Sequence, residues 1–258
     1  MAIVLTICGQ KGGTGKSVVA VNLAASLALY EKKVLLIDGD PSGCSTKWIG
    51  IHNAGQGHDL VSVFTGKTRF PDAILQTSLR WLDILPAGFG LFESALKLSD
   101  KVPNQIILRL LIQEDAPSDY EYIIIDAPSS YGFLSIMAMA AADWLIVPVC
   151  PVHGASADVH CLLTLIRYIR KNHKIPLKIG GFVCNRCNDP SAVDDIQRFA
   201  GPKKSFQTAD LAYDTHIPWD SAVEKSIEKK MPLALYDIKS PAGSAFLNFA
   251  KEIHRIFT

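Results

Sequence analysis

Long apolar runs are missing from this 258-residue chain: no stretch approaches the ~18 consecutive apolar residues that a membrane-spanning helix requires. A one-sided charge is missing too, since 26 Lys and Arg stand against 25 Asp and Glu for a formal net charge of +1. With 48% hydrophobic residues, that balance excludes a disordered chain. It also excludes a protein that coats nucleic acid by bulk charge, so any such contact has to come from a local patch. Glycine and proline, at 18 and 14, are too few for collagen-like or low-complexity sequence. No internal repeat and no low-complexity linker divides the chain, and a single α/β domain over 1–258 is expected. The N-terminus lacks a basic leader and a long apolar segment, so no signal peptide is expected. The six cysteines (Cys8, Cys44, Cys150, Cys161, Cys184 and Cys187) then imply reduced thiols in a soluble, cytoplasmic protein.

What the chain does have is a recurring pattern of short β-branched apolar runs, at 3–7, 34–37, 122–125, 144–149 and 179–184, with a weaker one at 81–85. Runs apolar throughout suit parallel strands buried on both faces. Helical spacing lies between them, at 18–29, 133–141, 157–169, 192–199 and 243–256, with shorter pieces at 59–64 and 71–75. The alternation predicts a mostly parallel, twisted sheet with helices on both faces.

Between the first strand and the first helix stands Gly9-Gln10-Lys11-Gly12-Gly13-Thr14-Gly15-Lys16-Ser17, which matches G-x-x-x-x-G-K-[ST]. Glycines let successive N–H groups turn inward around phosphate oxygens, and the following helix adds the positive end of its dipole. Gly12, Gly13, Thr14, Gly15, Lys16, Ser17 and Val18 are the candidate cradle for a nucleotide. Lys16 would bridge the β- and γ-phosphates, and Ser17 would place its hydroxyl on Mg²⁺.

Carboxylates follow two of the strands. The run 34–37 leads into Asp38-Gly39-Asp40-Pro41, and a carboxylate at the carboxyl end of a parallel strand sits where open α/β sheets bind ligands. Asp38 is placed to reach the Mg²⁺ hydration shell, and Asp40 to lean toward the γ-phosphate and position an attacking water. The run 122–125 ends in Asp126-Ala127-Pro128, a Walker B pattern whose aspartate holds the metal through water. The late strand ends in Asn185-Arg186, and an asparagine carboxamide can pair bidentately with an adenine edge.

The second lysine in the loop, Lys11 in Lys-Gly-Gly-Thr-Gly-Lys-Ser, resembles the deviant Walker A motif of the ParA/MinD/nitrogenase iron-protein family. The resemblance implies a single P-loop NTPase domain that binds ATP and Mg²⁺ and forms an ATP-sandwich homodimer. Lys11 would reach across it to the nucleotide of the other subunit. It also implies that Asp38-Gly39-Asp40-Pro41 is switch I, with Asp40 supporting hydrolysis beside Lys11 and Lys16. The loop after Asp126 would be switch II, and Asn185 would read the base. Ile217-Pro218-Trp219-Asp220 resembles the segment that closes over the base, which makes Pro218 and Asp220 candidates there. Ala127 and Ser129 depart mildly from the family pattern, and the Glu-Ala dyad that often follows the Pro218 segment in partition ATPases is absent from 223–226.

Within the family, no cysteine between Cys44 and Cys150 could hold an iron–sulfur cluster near switch II, and Cys184-x-x-Cys187 reads as a pair of packing thiols. A membrane-binding tail is not expected after Thr258, nor an operator-reading extension ahead of the loop. The remaining branch resembles ParA/Soj partition ATPases, which implies nonspecific DNA binding as an ATP dimer, nucleoid association and a ParB-like or cargo-bound activating protein. On the helix over 157–173, Arg167, Arg170, Lys171 and Lys174 recur at i, i+3, i+4 and i+7 opposite an apolar stripe, and form the candidate DNA face. Lys203, Lys204, Lys225, Lys229 and Lys230 are candidates to enlarge it. A MinD-like positioning ATPase without DNA binding and a P-loop ligase or kinase for a small metabolite are the alternatives.

Overall fold

The computed structural model describes residues 2–9, 12–51, 57–99, 104–130, 132–150, 156–188 and 212–258. The apolar runs become β1 (Ile3–Ile7), β2 (Val34–Asp38), β4 (Leu82–Leu85), β5 (Tyr122–Asp126), β6 (Trp144–Val149) and β7 (Lys178–Cys184), joined by a two-residue β3 (Leu75–Gln76). They form one sheet in the order β3-β4-β2-β5-β1-β6-β7, parallel throughout except for the antiparallel pair β3 and β4.

The unbroken apolar runs have a simple cause. In β2 and β5 successive side chains enter different cores: Leu35, Ile37, Ile123 and Ile125 pack on one face, Val34, Leu36, Tyr122 and Ile124 on the other. Both faces are covered, so neither strand has a solvent side to show as polar alternation. The first core is roofed by α3 (Leu60–Phe64), α4 (Leu91–Ser99), α5 (Ile107–Asp115), α6 (Phe133–Ala141) and α7 (Ser156–His173). The second lies under α1 (Lys16–Leu29), α2 (Cys44–Trp48), α8 (Ser221–Glu228), α9 (Leu233–Tyr236) and α10 (Pro241–Phe257). Because α1 is wedged between the sheet and α10, it is buried from Val19 to Ala28. Asn22 ties α9 to it by accepting from Leu233 N–H at 2.9 Å.

Two expectations need adjusting. The helical piece over 71–75 is a single 3-10 turn at Pro71–Ala73, and Leu75 instead pairs with Ile84, covering the edge that β4 would otherwise leave open. The segment 59–64 is a helix from Leu60, with Asp59 as its cap accepting from Ser62 N–H at 2.7 Å. The helix expected over 192–199 lies outside the described residues. No helix among the described residues is long and apolar enough to cross a membrane.

Candidate nucleotide site

All six parallel strands end at one edge of the sheet, and the sequence motifs sit on the loops that leave it. After β1 the chain turns through its glycines, with Gly13 and Gly15 at φ of 81° and 86°. Only in that left-handed region do successive N–H groups turn to one side without a steric cost. Gly15 has a second reason to be glycine, since a Cβ there would stand 2.1 Å from Asn185 Nδ2. Lys16 is buried and Ser17 half-buried in the first turn of α1, which carries no acidic residue to compete with an incoming anion. Beneath the loop, burial pushes the Cys8 thiol up to about 12 against the pull of the Lys16 ammonium. Lys11 lies outside the described residues.

Asp38 and Asp126 end adjacent strands and stand opposite each other in register. Counting by twos from Leu36 and Ile124 puts both side chains on the α1 side of the sheet, where Ser17 begins the helix. Both are fully buried. Asp38 Oδ2 accepts from the Thr46 N–H and the Thr46 hydroxyl, each at 2.7 Å, and Oδ1 from the Asp40 N–H at 3.2 Å. Asp126 Oδ2 accepts from the Ser45 hydroxyl at 2.6 Å, whereas Oδ1 is buried with no hydrogen-bond partner.

Burial raises both carboxyls. Asp38 goes to about 6, against the bonds from Thr46 and from the Asp40 amide. Asp126 goes to about 7, where the neighbouring Asp38 adds to desolvation and the Ser45 and Ser17 hydroxyls oppose it. Two buried carboxylates and a hydroxyl, one carboxylate oxygen lacking any donor, make a set of hard oxygen ligands that fits Mg²⁺. Ser17, Asp38 and Asp126 are the residues that could hold it.

A cleft of about 440 Å³ opens beside the phosphate loop and the Asp40 turn. Gly12, Gly13, Gly15, Lys16, Ser17 and Val18 form one wall, and Asp40, Lys47, Trp48, Arg186 and Lys230 are on the other. Asp40 Oδ1 accepts from Ser42 N–H at 2.8 Å, which stiffens the turn that carries it. A narrower cleft continues from Val18 between Asn185, Arg186, Pro218, Trp219 and Asp220. Asn185 is buried at its floor, its N–H donating to Val149 O and its carboxamide Nδ2 donating to Thr14 O, both at 2.8 Å. The proposed base-reading side chain is therefore fastened to the phosphate loop. Pro218 is half-buried in the cleft wall. Asp220 serves the fold, capping α8 by accepting from Ala222 N–H at 2.9 Å and reaching Ala242 N–H at 3.0 Å. Burial pushes its carboxyl up, but these amides, Ser240 and Lys225 together hold it below the ordinary value.

Sequence reasoning missed Ser45, Thr46, Lys47, Trp48, Arg186 and Lys230. The adjacent hydroxyls after Gly43 were a visible signal for the first two, because the Asp38–Pro41 turn folds that stretch back over its own aspartate. Arg186 had no periodic signal. It sits at φ 56°, lines both clefts and has no hydrogen-bond or ion-pair partner among the described residues.

The cationic helix forms as expected. Leu162, Ile166 and Ile169 of α7 are buried, and Arg167, Arg170 and Lys171 are exposed, with Lys174 just beyond the helix. Arg170 is partly committed, donating from Nε to Leu177 O at 2.8 Å. Lys225, Lys229 and Lys230 do not enlarge this face, because α8 packs on the opposite side of the sheet. Lys203 and Lys204 lie outside the described residues. Cys184 and Cys187 are buried thiols outside any disulfide, and burial together with the neighbouring Cys187 pushes the Cys184 thiol well up, which fits packing thiols.

A glycine-turned loop ahead of a helix, a buried lysine and hydroxyl, and two strand-end carboxylates define a P-loop nucleotide-binding protein. Residues 2–179 match the family model described as AAA domain. The chain is 32% identical over 253 residues to the sporulation initiation inhibitor protein Soj of Bacillus subtilis, covering 98% of each. It is also 32% identical over 251 residues to the chromosome partitioning protein ParA of Caulobacter vibrioides, covering 97% of this chain and 93% of that one. The chain belongs to this family, with the Soj and ParA proteins. The septum site-determining protein MinD of Pyrococcus horikoshii, complexed with Mg-ADP, shares the fold with a TM-score of 0.77 at 24% identity, covering 99% of this chain and 97% of that one.

Proposed function

We propose that this chain is an ATP-dependent, dimerising ATPase of ParA type. As an ATP dimer it binds DNA without sequence preference and positions plasmid, chromosome or protein cargo. One observation carries the reading: the buried Asp38 and Asp126 pair, with an unpartnered oxygen, faces the first turn of α1 at the mouth of the phosphate loop. Such a pair is unfavourable without a cation and suits a Mg²⁺–nucleotide. The Mg-ADP complex of the MinD relative supports the same pairing of metal and nucleotide.

In this mechanism the loop amides and Lys16 hold the phosphates, while Ser17, Asp38 and Asp126 would hold Mg²⁺, which would supply neutralisation of developing phosphate charge. Asp40, on the cleft wall, positions the attacking water. Lys11 reaches the nucleotide of the second subunit, so ATP binding and dimerisation are one event. Arg167, Arg170, Lys171 and Lys174 of each subunit contact DNA phosphates, and a ParB-like or cargo-bound protein accelerates a slow hydrolysis that releases the dimer. The protein works in the cytoplasm and is nucleoid-associated when bound to ATP.

Gel filtration with ATP tests the core of this reading. Asp40→Ala is expected to accumulate dimer, and Lys11→Ala to stay monomeric while still binding nucleotide. An unchanged monomer–dimer balance in both variants would overturn it. Retention of nonspecific DNA by the Asp40→Ala dimer separates the ParA-type reading from a positioning ATPase that acts without DNA.

A further inference from the structure

Ser45 and Thr46 do not line the cleft, yet each is bonded to one of the two buried carboxylates. The Ser45 hydroxyl donates to Asp126 Oδ2 at 2.6 Å, and the Thr46 hydroxyl and N–H both donate to Asp38 Oδ2 at 2.7 Å. Both residues are buried at the start of α2. Thr46 Oγ1 uses its remaining capacity as well, accepting from Ala87 N–H at 3.3 Å in the loop after β4. Trp48, at the other end of α2, donates from Nε1 to Met231 O at 3.0 Å and anchors the helix against α8. The short helix is thus held at both ends, and it presents one hydroxyl to each aspartate.

The consequence is directional. A carboxylate rotates about its terminal torsion unless its oxygens are distinguished, and this torsion is broad for aspartate. At Asp126 the Ser45 bond occupies Oδ2 and leaves Oδ1 as the oxygen without a donor. At Asp38 the two hydrogen bonds from Thr46 both hold Oδ2, which leaves Oδ1 with the bond from the Asp40 N–H. Outer partners of this kind set the orientation of metal-binding oxygens.

We propose that Ser45 and Thr46 are positioning residues for the metal: as a hydroxyl pair on α2 they aim Asp126 Oδ1, and Asp38 Oδ1 with its one bond from the Asp40 N–H, at one point beside Ser17. Because α2 directly follows the Asp40 turn, the same pair couples metal occupancy to the position of Asp40. The inference rests on the nucleotide-site reading above and names residues that this reading leaves out.

The test is the affinity of a fluorescent ADP analogue, measured by anisotropy on the full chain with EDTA and over a Mg²⁺ titration. Ser45→Ala and Thr46→Val are each expected to raise the Mg²⁺ concentration for half-maximal enhancement by about tenfold. Affinity in EDTA should stay within about twofold, because these residues do not touch the phosphates. Thr46→Ser should recover most of the Mg²⁺ response, since the hydroxyl and the N–H are both kept. Ser45→Ala removes a single oxygen, so it reports on the idea even where Thr46→Val folds poorly. Unchanged Mg²⁺ dependence in Ser45→Ala and Thr46→Val would overturn the positioning role, as would an equal loss of affinity with and without Mg²⁺. If the parent protein binds no nucleotide, or binds it without any Mg²⁺ effect, the nucleotide-site reading itself fails and this inference falls with it.

Discussion

At the scale of single residues the energetics concentrate on Asp126. Its ordinary value of 3.8 is raised to about 7, first by desolvation and then by Asp38. A carboxyl raised in this way binds its proton more tightly folded than unfolded. Between about 4 and about 7 the folded chain therefore holds more protons, and stability falls as pH rises through that window. In EDTA the protein is expected to melt at a higher temperature near about pH 5.5 than near about pH 7.5. Asp126→Asn should flatten this difference and raise the melting temperature at the higher pH by a few degrees, roughly 1–2 kcal/mol for a chain of this size. Thermal melts at the two pH values check it, and an amide variant less stable than its parent at the higher pH would refute the assignment of strain to that carboxylate. The two aspartates were legible in the sequence because each ends an apolar run. Their restraints left only the adjacent hydroxyls Ser45 and Thr46 as a signal, since a five-residue helix carries no periodicity.

Arg186 belongs to the same scale. A non-glycine residue in the left-handed region costs about 1–2 kcal/mol, and here Arg186 in that conformation lines both clefts. Arg186→Gly is expected to leave the fold at least as stable while weakening ADP binding several-fold. Adenosine binding should change little, because the lost partner is a phosphate. Isothermal titration with ADP and with adenosine distinguishes this from a purely structural arginine, for which the two ligands would lose affinity together.

At the scale of elements, legibility tracked burial geometry. The strands β1, β2, β5, β6 and β7 and the helices α1, α6, α7 and α10 were visible because each pairs a short apolar run or a helical stripe with a core face. The stretch between Trp48 and Asp119 was obscure for a physical reason. There α3 is a five-residue helix and β3 is two residues, too short for either to show its period. The same distinction between faces bears on DNA. With α8 on the opposite side, the described candidates for the cationic face of α7 are Arg167, Arg170, Lys171 and Lys174. Arg167→Ala with Lys171→Ala should weaken DNA retention by the ATP-bound protein and make the salt slope shallower by about 2, one unit per lost phosphate contact. Lys225→Ala with Lys229→Ala should leave that slope unchanged. Gel-shift titrations at several salt concentrations measure both, and an equal effect of the two pairs would remove α7 from the DNA contact.

At the scale of the whole molecule, one bond ties together parts of the chain that are far apart in sequence. Asn185, at the end of β7, donates to Thr14 O in the phosphate loop, 171 positions earlier in sequence. The same residue is joined to the Ile217 segment that leads into α8. Through Asn185 the phosphate loop is thus linked to the strand end and to the segment leading into α8. Asn185→Ala would leave the Thr14 carbonyl without that donor and a small cavity beside Gly15, a loss of about 1–3 kcal/mol in the nucleotide-free protein. Bound ADP should stabilise the variant less than the parent, because the loop and the base cleft would no longer be held in one arrangement before the ligand arrives. Asn185→Asp isolates the donor, since it keeps the size of the side chain and removes the N–H that Thr14 accepts. Melting curves with and without ADP separate the two contributions. If Asn185→Asp lost stability without ADP but kept the full shift on adding it, the bond would be a structural tie alone. A smaller shift on adding ADP would place the adenine contact and the phosphate loop in one coupled unit.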